Sequence, residues 1–122
     1  MYAHAANAYR RVDLESAPKT QILDQLFSRL LSDLESGKAA IADRDIKRKH
    51  AVLDHAMQIV TELRAALDVG AAPELCGHLA ALYDFVMNRV VVAGAKLDGR
   101  FLDEAIQVVG PLRKAFAEAA TK

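Results

Sequence analysis

Between Ile22 and Leu34 the chain reads ILDQLFSRLLSDL, and its apolar residues fall in adjacent pairs four positions apart: Ile22 with Leu23, Leu26 with Phe27, Leu30 with Leu31, then Leu34. At about 100° per residue these positions cover nearly half the circumference of an α-helix. The period predicts a helix over residues 17–42. Ser16 or Ala17 would cap it, with Pro18 just inside, where a missing backbone donor costs little. Upstream, the first 14 or so residues show no apolar period but contain Tyr2 and Tyr9, so residues 1–16 read as a flexible arm or loosely docked cap.

Downstream, Gly37, Gly70 with Pro73, and Asp98 with Gly99 punctuate further helical segments. A second helix is expected over 45–68, with Asp45 as N-cap and one stripe of Ile46, Leu53, Met57, Val60 and Leu67. A second stripe, Val52, Ala56, Ile59, Leu63 and Ala66, lies about 100° away. A third helix over 74–96 aligns Leu75, Leu79, Leu82, Val86, Val90 and Ala93, flanked by Tyr83 and Met87 on one side and by His78, Phe85 and Val92 on the other. The fourth starts near Gly99 and aligns Phe101, Leu102, Ala105, Val109, Leu112 and Phe116, with a kink expected from Gln107 to Pro111 because proline removes a backbone bond and clashes with the preceding turn. Long helices joined by short connections must double back, which makes residues 17–120 one all-α domain, an antiparallel four-helix bundle.

Composition agrees. The 122 residues are 52% apolar but only 6% aromatic, without tryptophan, and Ala and Leu dominate the apolar share, which favours helix over sheet. Sixteen basic and sixteen acidic side chains cancel, which argues against a chain devoted to a polyanion. A lone cysteine, Cys76, forms no intrachain disulfide, and the N-terminal residues lack a signal-peptide core, so a reducing cytoplasm is the expected compartment. No uninterrupted apolar run approaches the ~20 residues of a membrane span, and membrane insertion is not expected.

Catalytic chemistry has little to work with. Inward-pointing Glu-x-x-His pairs are absent, and His50 and His55 stand five residues apart, about 140° around the helix, which does not suit one metal ion. There is no glycine-rich phosphate loop, nucleophile elbow or Cys-x-x-Cys pair. No enzyme, cofactor or metal is expected; His78 reads as a partly buried structural histidine and Cys76 as a small helix residue. The run RDIKRKH, Arg44 to His50, places positive charge at a helix N-terminus, against the macrodipole. It reads either as a solvated helix end or as a patch for nucleic acid or an acidic partner. The surplus apolar surface on the second and third helices also admits two readings: a partner-binding groove, or internal burial of both stripes. On the first, Val52, Ala56, Ile59, Leu63, Ala66, Tyr83 and Met87 are the candidate partner-binding residues.

The segments IVTELRAALD (Ile59 to Asp68), LAALYDF (Leu79 to Phe85) and LDEAI (Leu102 to Ile106), with Ala8-Tyr9 and Ala17-Pro18 upstream, resemble the flagellar secretion chaperone FliS family in their order and spacing. Ala17 stands where the family has serine and Phe116 where it often has tryptophan, and Gly110-Pro111 is atypical. The resemblance implies a cytoplasmic, non-enzymatic bundle that holds the helical C-terminal region of flagellin in apolar grooves and prevents its polymerisation before export, with the export gate as a further contact. It also implies that Tyr9 belongs to a segment covering part of the groove. Two other functions compete: a nucleic-acid or regulatory module built on Arg44 to His50, and a structural bundle that homodimerises through its spare apolar face.

Overall fold

Helices occupy Lys19–Ala42 (α1), Ile46–Ala65 (α2), Pro73–Lys96 (α3) and Arg100–Ala120 (α4) of residues 19–120, the residues that this structure, a computed structural model, describes. Tyr9, the arm over residues 1–16 and the cap expected at Ser16 or Ala17 lie outside them. The α1–α2 junction follows from local chemistry. Asp45 caps α2, its carboxylate accepting the Arg48 N–H at 3.1 Å. Just before it, Arg44 takes a left-handed conformation (φ 56°), so that Asp45 N–H reaches back to Ala40 O at 2.9 Å and Arg44 N–H to Ile41 O at 3.1 Å. These bonds satisfy carbonyls that α1 would otherwise leave unpaired. Pro73 begins α3, where its missing N–H is harmless. Asp98 starts α4 by accepting the Arg100 N–H at 3.0 Å, while its carboxylate also receives the Arg100 guanidinium.

Each helix packs on its neighbours in chain order, and α4 returns to α1 to close the ring. Polar pairs fix the directions. Lys38 near the end of α1 meets Asp103 at the start of α4 at 2.6 Å, and Asp24 near the start of α1 meets Arg113 near the end of α4 at 3.4 Å. Neighbouring helices therefore run antiparallel. The core is built from Leu23, Phe27, Leu30 and Leu34 of α1, Ala56, Val60 and Leu63 of α2, Leu79, Tyr83 and Val86 of α3, and Leu102, Val109, Leu112 and Phe116 of α4. Phe27 and Phe116 stack with ring centroids 5.1 Å apart, which ties the beginning of α1 to the end of α4.

α4 runs as one helix through Gly110 and Pro111; Pro111 is exposed, and Leu112 and Phe116 beyond it are fully buried, so core packing carries the helix past the missing backbone bond. His78, expected to be partly buried, is exposed. α3 is long and apolar enough by length and composition to cross a bilayer. In this fold its Cys76, Leu79, Tyr83, Val86, Val90 and Ala93 face is a wall of the core, and its outer side carries Asp84 and Arg89.

Candidate partner-binding groove

Between α2 and α3 the seam is looser than between α1 and α4. At the last turn of α2, Arg64 and Asp84 clasp through two hydrogen bonds of 2.7 and 3.1 Å, which raise the guanidinium's pKa and lower that of the carboxyl. Both side chains are solvated, so the pair sets register more than stability. Nearby Thr61 donates to Met57 O at 2.7 Å, and its Oγ1 lies 3.9 Å from Met87 Sδ. From there towards the α1–α2 turn the helices leave an open groove of about 190 Å³, floored by Leu53, Val90 and Gly94 and edged by Met57, Val91, His50 and Asp54, with Lys49 at its end. Val91, 57% exposed, forms the groove's outer apolar lip.

The last turn of α3 shapes that end. Leu97, left-handed at φ 52°, turns the chain so that Ala93 O accepts both the Leu97 and Asp98 N–H groups. Gly94 O receives Lys49 Nζ at 3.0 Å instead. Gly94 has no side chain to fill the space above it, and a Cβ there would touch only Leu53 Cδ1, at an ordinary 3.5 Å.

Among the described residues, none of the expected site residues lines the groove, and Met87 comes nearest to the seam. Met87 is half-buried and faces α2. Ala56, Ile59, Leu63 and Tyr83 are buried in the core, beyond reach of a partner while the bundle is closed, and Val52 and Ala66 are half-buried and packed on that core. Tyr9 lies outside the described residues. Leu53, Val60 and Leu67 of the neighbouring stripe are buried as well, so both stripes of α2 pack inward, and the one with Ile59 turns towards α1. His55, on the same side of α2 as Ile59 and Ala66, makes this plain: its Nδ1 lies 2.5 Å from Asp33 Oδ2 of α1. The neighbouring stripe, with Ile46, Leu53 and Met57, borders the open seam, and Ile46 is exposed beyond the groove's end.

The basic run is divided. Arg44, Lys47, Arg48 and His50 are exposed, whereas Lys49 turns inward, so the four cations of the run do not share one face. Cys76 is buried, its Sγ donating to Asp68 O at 3.2 Å, and burial pushes its thiol pKa up, away from the reactive thiolate. On the far side of α3, Arg89 sits 5.5 Å from the Phe85 ring and 5.2 Å from that of Phe101 while its Nη1 donates to Glu104 at 3.0 Å. Among the described residues no three His, Cys, Asp or Glu side chains gather as metal donors.

The family model for the flagellar protein FliS matches residues 1–122. The flagellar secretion chaperone FliS of Vibrio cholerae is 29% identical over 113 residues, covering 89% of this chain and 83% of the relative. The flagellar secretion chaperone FliSB of Pseudomonas aeruginosa is 31% identical over 109 residues, 85% of this chain and 86% of the relative. FliS of Bacillus subtilis is 29% identical over 112 residues, 92% and 83% respectively. With the match spanning every helix of the bundle, the chain belongs to the FliS family of flagellar proteins.

Proposed function

We propose that this protein is a cytoplasmic flagellar secretion chaperone that takes the helical C-terminal region of flagellin into the α2–α3 groove and so withholds it from polymerisation until export. The observation that carries this reading is the open apolar seam between two helices of a FliS-family bundle. An amphipathic helix laid into such a groove buries its apolar stripe, and that stripe is then lost to any other helix that would pack on it. Competition for one surface is the whole mechanism, and it requires neither cofactor nor covalent step. Release at the export gate returns the stripe to the flagellin subunit.

The test uses two carboxylates introduced in the full-length protein and titrated with a flagellin C-terminal fragment. Val91→Asp places charge on the exposed lip. It leaves circular dichroism and the melting curve near wild type and weakens binding at least about tenfold, because a carboxylate pressed into an apolar contact costs several kcal/mol. Leu63→Asp places the same group in the core and unfolds the bundle. Wild-type affinity in a folded Val91→Asp variant overturns the assignment of the groove.

A further inference from the structure

Lys49 is the one charged side chain buried among the described residues, with 7% of its surface exposed, and it lies at the end of the apolar groove. Its Nζ donates to Gly94 O. An ammonium carries three N–H donors, and no carboxylate among the described residues stands within 4 Å of this one. Removing an ammonium from water without a counter-charge is costly, and an apolar side chain of similar length would fill the same space without that cost. The surroundings intensify the imbalance. Lys47, Arg48 and His50 flank it, the first turn of α2 contains no acidic residue, and the positive end of the helix dipole lies there. Asp45 is engaged with the Arg48 N–H, and exposed Asp54 lies more than a turn further along the groove.

We propose that Lys49 reads a carboxylate on the partner: the helix that enters the groove carries one Asp or Glu at the end of its apolar stripe, and that side chain pairs with Lys49 Nζ. The inference rests on the groove being the docking site. It gives the basic run a role that its division requires, since the exposed cations raise the potential around the one cation that faces the groove. Burial of the stripe supplies affinity, and the ion pair supplies register, because sliding the helix by one turn would leave the ammonium without its partner.

Full-length wild type, Lys49→Met and Lys49→Gln are titrated calorimetrically with a flagellin C-terminal segment, in which each Asp and Glu is changed in turn to its amide. Lys49→Gln keeps a donor for Gly94 O without the charge, and melting curves verify folding of both variants. One amide substitution is expected to weaken binding to wild type about tenfold or more and to have no further effect on either Lys49 variant. In the wild-type complex alone, carbon-13 NMR is expected to show that carboxyl titrating at lower pH than in the free segment, a readout that needs no variant. If no amide substitution couples to Lys49 and no carboxyl shifts, while Val91→Asp abolishes binding, the groove stands and the carboxylate pairing falls. If Val91→Asp binds normally, both fall.

Discussion

Leu53 is pinched between two glycines, and the pinch makes the effect of one substitution depend on where it is placed. A Cβ on Gly37 of α1 would stand 2.7 Å from Leu53 Cδ2 and 3.2 Å from Leu102 Cδ1, whereas a Cβ on Gly94 of α3 would stand 3.5 Å from Leu53 Cδ1 and one on Gly77 would meet nothing within 4 Å. Alanine in a helix interior is worth ~1 kcal/mol over glycine. At Gly77 and Gly94 that gain goes unopposed, and each variant is expected to melt roughly 3–5 °C higher. At Gly37 the added methyl forces Leu53 aside, and overpacking a filled core costs about 1–3 kcal/mol, so the net effect runs from neutral to a loss of about 2 kcal/mol. Combining Gly37→Ala with Gly94→Ala closes Leu53 in from both sides, and the pair should lose more than the sum of the single effects. Thermal and urea denaturation of the four variants beside wild type measure this. A Gly37→Ala protein as stabilised as Gly77→Ala would refute the close approach of α1 to α2.

Two further outcomes follow from the helix junctions. Arg100 holds the Asp98 carboxyl down to about 2 through its side chain and its backbone N–H; because the folded value lies below the ordinary one, the associated stability is present above pH ~4 and lost as the pH falls towards 2. NMR titration should find that midpoint in wild type and a higher one in Arg100→Ala. Arg44, exposed and left-handed, is better served by glycine, so Arg44→Gly should gain up to about 1 kcal/mol in urea denaturation at neutral pH, and a clear loss would contradict the turn.

The starts of α2 and α3 were legible in the sequence because each has a local chemical cause, Asp45 as a capping acceptor and Pro73 where an N–H is dispensable, whereas α2, expected to run to residue 68, ends at Ala65. The site was only half as legible. Periodicity identifies α2 and α3 as apolar beyond the needs of one contact, but it gives angles without an origin, so it cannot say whether two stripes 100° apart both meet the core or leave one to a partner. Ile59 and Leu63 took the interior together with Leu53, Val60 and Leu67 of the other stripe, and the contact that orients the helix, His55 on Asp33, joins residues from different helices. Lys49 was hidden for another reason. In a run of cations every member looks solvated until a carbonyl from α3 draws one of them inward. Pro111, where proline predicts a kink, lies inside one unbroken helix, with Leu112 and Phe116 beyond it buried in the core.

The stack of Phe27 on Phe116 unites the two ends of the described chain, and it sets an order of events during synthesis. α2 and α3 leave the ribosome as neighbours and can pair at once, but Phe27 must wait until the chain has been made as far as Phe116. At ~5–20 residues per second that wait is on the order of five to twenty seconds. The seam that ends up loosest in the finished bundle is thus available early, and the tightest one is sealed after it, by the last turns of α4.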